Sequence, residues 1–207
     1  MRVIRENRLL ATVLVVVSTV AGAAGAQTIT EFPVSAGPYG ITRAQDGSLF
    51  FTEFGGEKVS RMTTAGVVTN RFPIPLTNPL PFDITTDSAG NIWFTDALKE
   101  VILKMTPTGT FTFPSPYSVS GGGYGIVAGP DGKMWFTQFT GNRIGRLDTV
   151  SGNATFIDLP TPGSTPTGIV VGPDGNIWIT EKGSNKIGRI TMAGVLTEFT
   201  VPTAGSG

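Results

Sequence analysis

The sequence predicts an all-β protein, a β-propeller with four recognisable four-stranded blades. Three observations predict this fold class: a block of residues that recurs four times, a period of 42 to 43 residues, and short runs separated by turn residues. A helical solenoid is excluded, because 28 Gly and 15 Pro leave no uninterrupted stretch long enough for its helices. The block reads AQDGSLFFTE, DSAGNIWFTD, GPDGKMWFTQ and GPDGNIWITE at 44–53, 87–96, 129–138 and 172–181.

Each repeat contains four short runs, which we label strands a to d from the inside of the propeller outward. Strand b follows an Asp-Gly type turn, and both residues tolerate the positive φ that tight hairpin turns require. In strand b of the last repeat, Trp178 and Thr180 face one side and Ile177 and Ile179 the other, which predicts a strand packed between neighbours. Strand a begins at a block that reads PYGI, PFDI, GYGI and PTGI at 38–41, 81–84, 123–126 and 166–169.

Two further positions recur with the same period. Large aromatic residues in strand b are expected to fill the space between adjacent blades. These are Phe50, Trp93, Trp135 and Trp178. Basic residues in strand c are expected to pair with a carboxylate of the neighbouring blade or with a turn carbonyl. These are Arg61, Lys104, Arg146 and Arg189.

The first 26 residues differ from the repeats and read as a secretory signal peptide cut before Gln27. Three Arg residues precede an apolar run over 9–21 that is shorter than the ~20 residues needed to span a bilayer, and Ala24-Gly25-Ala26 supplies small residues at the cleavage site. We therefore expect a secreted or periplasmic protein with no membrane attachment after cleavage. The mature chain keeps 12 basic and 14 acidic residues. This weak negative balance predicts no nucleic-acid partner.

The composition excludes several kinds of active site. The chain has no Cys and no His, so it cannot build a Ser-His-Asp triad, a Cys-His pair or a His-ligated metal site. Any chemistry must come from carboxylates, hydroxyls, amines and the backbone.

Two sets of residues are candidates for a ligand-binding site at the mouth of the propeller channel. The first set varies at the inner strand while the surrounding scaffold repeats, which suits a binding site; irregular packing near the axis explains it as well. Its members are Tyr39, Phe82, Asp83, Tyr124 and Thr167. The second set closes strand b and could bind a divalent cation or act in acid–base chemistry, or could satisfy turn amides and basic neighbours instead. Its members are Glu53, Asp96, Gln138 and Glu181.

The strings PxGI, GPDGNIWITE, NKIGRIT and GVLTEF together resemble the repeat of the virginiamycin B lyase (streptogramin B lyase) family, whose propellers are related to NHL and SMP-30-type propellers. The resemblance covers essentially all of residues 28–207. It implies a seven-bladed ring. It also implies a lyase that opens cyclic depsipeptide antibiotics by elimination across the ester, using a histidine, a nearby glutamate and a magnesium ion. The cofactor expected from the resemblance is Mg or Ca. The family's histidine precedes the glycine of a PHGI segment, and here Tyr39, Phe82, Tyr124 and Thr167 stand there instead, so no catalytic residue carries over.

The ends of the repeat array predict a partial propeller. An outer strand over 28–34 precedes the first inner strand, and the last repeat has its own outer strand over 195–201, so the chain carries one outer strand more than a closed ring needs. The predicted domains are a leader at 1–26 and repeats at 27–207. The blades are expected at about 36–75, 76–118, 119–160 and 161–202. The alternative is a complete protein that forms a four-bladed ring or associates with other chains through its open edges.

Three functions follow from these observations. The preferred one is a secreted, lyase-like propeller that serves as a binding scaffold for a small-molecule or peptide ligand, with catalysis not supported by this chain. The second is an enzyme in a complete ring, either a lyase of streptogramin B antibiotics or an SMP-30-like lactonase with a carboxylate-bound metal. The third is an extracellular protein-interaction module.

Overall fold

The computed structural model describes residues 29–34, 36–112 and 117–203. The predicted leader and residues 204–207 lie outside the described residues. Within the described ranges the structure contains no helix long and apolar enough to cross a membrane. The strands are β1 (Pro38–Arg43), β2 (Leu49–Glu53), β3 (Lys58–Met62), β4 (Val68–Pro73), β5 (Pro81–Thr86), β6 (Ile92–Asp96), β7 (Val101–Met105), β8 (Tyr117–Ser118), β9 (Ile126–Ala128), β10 (Met134–Gln138), β11 (Arg143–Leu147), β12 (Ala154–Asp158), β13 (Pro166–Val171), β14 (Ile177–Glu181), β15 (Lys186–Ile190) and β16 (Leu196–Thr200).

The strands form four separate sheets of four strands each, in which neighbours along the chain pair in antiparallel fashion. We call these sheets blades 1 to 4; they contain β1–β4, β5–β8, β9–β12 and β13–β16. The described residues contain no helix. The predicted all-β propeller with four recognisable blades is therefore confirmed.

The turn between strands a and b follows the prediction in part. Gly47, Gly90, Gly132 and Gly175 have φ between 71° and 84°, the left-handed region that glycine enters without strain. The Asp before the glycine does not adopt positive φ in the three blades that have it. It acts through its side chain instead: Asp46 accepts the N–H of Ser48 at 2.9 Å. A short acceptor that bonds the backbone two residues on stabilises a turn without a left-handed conformation.

Cross-strand pairing places each recurring aromatic residue opposite the recurring basic residue, for example Trp135 opposite Arg146. Because side chains alternate across a strand, the four aromatic residues lie on the same side of their blades, and the first three face the next blade. Trp93 of blade 2 packs with Ile126 and Phe136 of blade 3 in one buried cluster. Equivalent clusters contain Phe50 at the first blade interface and Trp135 at the third. The prediction that these aromatics fill the spaces between blades is confirmed there.

Two of the basic residues in strand c pair within their own blade and not with a neighbouring blade as predicted. Arg61 and Arg146 form ion pairs with Asp46 and Asp131, which belong to the a–b turn of the same blade. Each of the four basic groups also lies 5.1 to 5.9 Å from the centre of the aromatic ring opposite it. The cross-strand register explains the difference, because it places the cation over the ring and beside its own turn.

A threonine in strand b ties each blade to the next. The hydroxyl of Thr52 accepts the N–H of Gly40 in its own blade at 2.9 Å and donates to the carbonyl of Phe82 in blade 2 at 2.5 Å. Thr95 and Thr137 donate in the same way to the carbonyls of Tyr124 and Thr167 at 2.8 and 2.9 Å. These bonds set the relative position of the inner strands, and therefore of the residues at the channel mouth.

The chain divides into two compact units, residues 1–31 and residues 32–207. Of the first unit, residues 29–31 are described and lie in no strand. The predicted outer strand over 28–34 is therefore wrong for its described part, 29–34. The reason lies in the topology, since each described strand c already pairs with the strand d of its own blade.

Phe32, in the second unit, nevertheless packs like an outer-strand residue. Its ring lies so close over Gly66, in the c–d turn of blade 1, that a Cβ would not fit there. The ring of Phe72, from strand d of blade 1, covers Gly109 of blade 2 in the same way. Phe32 thus occupies the place that an outer strand of a preceding blade would fill.

Candidate functional site

Three of the predicted inner-strand residues come together at the start of strand a. The ring of Phe82 lies between those of Tyr39 and Tyr124, with centroid separations of 5.1 and 4.8 Å. The two phenols meet over it, and their hydroxyl oxygens are 2.5 Å apart. The segments at the start of strand a in blades 1, 2 and 3 therefore bring one aromatic side chain each to a single point.

Two further rings complete this group, and the sequence analysis missed both. Phe54 lies 5.2 Å from Phe82 and 6.1 Å from Tyr39, and Phe139 stacks on Tyr124 at 5.7 Å. Each follows directly after the recurring carboxylate or amide that ends strand b. The signal was present, because this position reads Phe, Ala, Phe and Lys in the four repeats and varies as strongly as the inner strand does.

We call Tyr39, Phe54, Phe82, Tyr124 and Phe139 the aromatic ledge. Its rings are partly accessible, and Tyr39 and Phe139 are 50% and 39% exposed. Rings of this kind offer flat apolar faces with hydroxyl groups at the edge, which suits a ligand that carries rings and hydrogen-bonding groups.

The phenol pair has an unusual protonation equilibrium. Burial, together with the hydrogen bond between Tyr39 and Tyr124, raises the pKa of Tyr39 to about 12. Both effects disfavour a phenolate. The Tyr39 hydroxyl is therefore a proton donor or acceptor for hydrogen bonds at neutral pH and not a base.

Asp83 lies directly beside these rings. It replaces the glycine that the other three repeats carry, and its two carboxylate oxygens accept the N–H groups of Ile84 and Ile126, each at 2.9 Å. Burial raises the pKa of this carboxyl, against the opposing effect of the two amides. Asp83 thus connects the inner strand of blade 2 to that of blade 3.

The fifth predicted inner-strand residue, Thr167, lies in a different environment. Its hydroxyl is 3.0 Å from that of Thr180, and it lines a cavity of about 260 Å³ together with Glu181 and Lys182. This cavity lies on the face of blade 4 that no described blade covers. Thr167 and the ledge therefore belong to different surfaces.

The residues that end strand b are all buried, and the contacts of three of them favour the structural alternative. Asp96 accepts the N–H groups of Leu80 and Lys99 at 2.8 and 2.9 Å. Gln138 donates to the carbonyl of Ser120 and accepts from Arg143. Glu53 accepts the hydroxyl of Ser60 and lies 3.6 Å from Arg71. Asp96 and Gln138 thus bond the loops beside strand b, and Glu53 bonds side chains of strands c and d of its own blade.

Glu181 differs from the other three. It is 1% exposed, its Oε2 accepts the hydroxyl of Ser184 at 3.1 Å, and its Oε1 has no hydrogen-bond partner among the described residues. Gly188 of strand c lies beside this oxygen and stands where blade 1 has Ser60, so blade 4 offers no hydroxyl there. Burial raises the pKa of Glu181, because the charged form loses solvation that its few partners do not replace.

Of the two alternatives for the residues that end strand b, the divalent cation site is not formed by the residues described. In 29–34, 36–112 and 117–203, no group of three or more Asp or Glu lies close enough to hold a metal ion. The acidic side chains that end strand b turn into their own blades. These residues do not fit the Mg or Ca expected from the resemblance.

Comparisons with known proteins identify the family. The family model described as the virginiamycin B lyase family matches residues 21–207. The chain belongs to the virginiamycin B lyase family. This confirms the resemblance read from the repeat. No curated protein matches the sequence.

Solved structures of the family agree with this assignment. The selenomethionine-substituted virginiamycin B lyase of Staphylococcus aureus is 37% identical and superposes with a TM-score of 0.76; the match covers 83% of this chain and 58% of that one. A catalytically inactive variant of the S. aureus lyase, determined with quinupristin, is 34% identical with a TM-score of 0.74 and is matched over 86% and 60% of the two chains. The chain thus spans about three-fifths of the length of these lyases.

A more distant similarity concerns the fold alone. A gluconolactonase from Xanthomonas campestris is 18% identical, with a TM-score of 0.67 over 84% of this chain and 65% of that one. Virginiamycin B lyase-like propellers and this lactonase therefore share an architecture.

Proposed function

We propose that this virginiamycin B lyase-like propeller binds a cyclic depsipeptide of the streptogramin B kind on its aromatic ledge. The observation that carries the proposal is the convergence of five rings from blades 1, 2 and 3 around the hydrogen-bonded phenols of Tyr39 and Tyr124. The relative determined with quinupristin supports this choice of ligand. Partly exposed rings would stack on the ligand, and the phenols would hydrogen-bond its polar groups.

Binding without turnover is what the residues of this chain support. No histidine stands at any P-x-G-I position, and the described carboxylates form no metal site. The phenol of Tyr39 holds its proton too tightly to act as a general base near neutral pH. We therefore assign no residue of this chain a role in opening the ring of the ligand.

A role outside the cytoplasm belongs to the same proposal. The basic start, the short apolar run and the small residues before Gln27 support export of the mature chain. An exported binding protein would meet an antibiotic before it enters the cell.

The experiment is a fluorescence titration of the purified chain with quinupristin, followed by an assay for ring opening with and without Mg²⁺. We expect saturable binding and an intact ligand after prolonged incubation. The absence of binding at high ligand concentration would contradict the binding role. A linearised product would contradict the assignment of a role without catalysis.

A further inference from the structure

Asp83 interrupts the repeat at the point where the inner strands of three blades meet. The equivalent positions are Gly40, Gly125 and Gly168, so no other blade offers a side chain there. The Asp83 carboxylate is half-buried between the inner strands, and both of its oxygens accept backbone amides. A side chain that breaks the repeat and whose two oxygens both bond neighbouring backbone points to a role in arranging those neighbours.

The contacts of Asp83 reach both blades that carry the phenols. Its Oδ2 accepts the N–H of Ile126, the first residue of β9, two residues after Tyr124. On the other side it packs against Gly40, the residue after Tyr39; a Cβ at Gly40 would lie 2.9 Å from the Asp83 Cα and 3.1 Å from its Oδ1. Asp83 therefore lies between the strand segments that hold the two tyrosines.

The inner strand of blade 3 needs such support more than the others do. The strand β9 contains three residues, whereas β1, β5 and β13 contain six. The inner strand is also a sheet edge, where backbone N–H groups point away from the ladder and lack a strand partner. The Asp83 carboxylate supplies an acceptor for one of these groups, and a charged acceptor gives a strong bond.

We propose that Asp83 is a positioning residue that fixes the inner strand of blade 3 against blades 1 and 2 and thereby holds the Tyr39 and Tyr124 hydroxyls in hydrogen-bond contact. This goes beyond ligand binding, because it concerns how the ledge is assembled. The test therefore uses no ligand, and its outcome is independent of whether the ledge binds quinupristin.

The test is a double-mutant cycle between Y39F and Y124F, measured by urea unfolding, in the wild-type chain and in D83G and D83N. In the wild type we expect the two hydroxyls to be coupled by about fivefold in the unfolding equilibrium constant, as for a typical hydrogen bond. D83G restores the residue of the other repeats and should abolish the coupling. D83N keeps one acceptor oxygen and should retain part of it.

The matched control is D46N, which changes an aspartate whose exposed carboxylate bonds the a–b turn of blade 1. It should lower stability slightly and leave the coupling between the hydroxyls unchanged. The proposal is overturned if the coupling persists in both Asp83 variants, or if the wild-type hydroxyls show none. A general loss of stability in D83G cannot mimic the expected result, because the cycle cancels it.

Discussion

Thr95 carries two inter-strand bonds on one buried hydroxyl. It accepts the N–H of Asp83 at 3.2 Å and donates to the carbonyl of Tyr124 at 2.8 Å, and it is fully buried. T95V keeps the shape and leaves both backbone groups without this partner, so we expect a loss of about 2 kcal/mol in the free energy of unfolding. Urea denaturation measures it. The control T180V changes the same repeat position where it is exposed and should cost less than about 0.5 kcal/mol.

Glu181 and Glu198 predict opposite responses to pH. The pKa of Glu181 is raised in the folded state. The contribution of this carboxyl to the free energy of unfolding is therefore present at low pH and is lost as the pH rises through the raised pKa. E181Q removes that loss, and its stability relative to the wild type should increase between pH 4 and pH 7. Gln138 shows that an amide is accommodated at this position.

For Glu198, burial acts to raise the pKa, but hydrogen bonds from Lys186 and Thr161 outweigh it and lower the pKa. Its contribution is therefore present at neutral pH and lost as pH falls through the lowered pKa. E198Q should be less stable than the wild type at pH 7, and the difference should shrink toward acid pH. Thermal unfolding of the two variants across this range checks both signs, and equal slopes would contradict them.

At the level of the strands, the c–d turns of blades 2, 3 and 4 receive a side chain from the outer strand of the blade before them, and the c–d turn of blade 1 receives Phe32 instead. Gly66 and Gly47 both have positive φ, at 81° and 83°, but Gly66 lies under the ring of Phe32 and Gly47 faces open space. G47A reports the backbone strain alone, of order 1 kcal/mol. G66A adds the steric conflict and should cost about 1 kcal/mol more.

The same comparison in an F32A background tests the role of Phe32. Without the ring, the difference between G66A and G47A in the free energy of unfolding should disappear. If it remains, the packing of Phe32 over blade 1 is not what distinguishes the two glycines.

The strands were predictable from the sequence because the same residue pattern occurs in all four repeats. The Asp-Gly turns, the period-two alternation and the aromatic spacing describe local and nearest-neighbour structure, and the register of Trp135 with Arg146 follows from them. The pairing of Arg146 with Asp131 was missed, since it depends on rotamers that place a long side chain over a ring and beside a turn. The prediction of an outer strand was wrong for residues 29–34, because a strand forms only where a partner strand is free to pair with it.

For the whole molecule, the two ends of the blade array differ from its interior. Trp93 and Trp135 are fully buried between blades, whereas Val170 and Phe199 on the free face of blade 4 are 56% and 42% exposed. No described blade packs against this face. The predicted self-association through open edges remains a prediction about this surface.

The sequence indicated which inner-strand positions vary, but it did not show which of their side chains converge. Variation at Tyr39, Phe82 and Tyr124 within a fixed repeat indicated the channel mouth, and the structure joins these rings. Thr167 occupies the equivalent repeat position but lies away from these rings, because in blade 4 it lines a separate cavity. A sequence repeat specifies equivalent positions, whereas convergence depends on the angle between blades.

The measurement that tests the account most directly compares F139A with F156A in quinupristin binding. The two phenylalanines belong to blade 3 and are 39% and 38% exposed, but Phe139 stacks on Tyr124 in the ledge, and Phe156 lies in the outer strand under Arg143. We predict that F139A weakens binding by about two- to tenfold, the range expected for one aromatic contact, and that F156A binds like the wild type. Equal affinities of both variants and the wild type would contradict a binding site on the aromatic ledge.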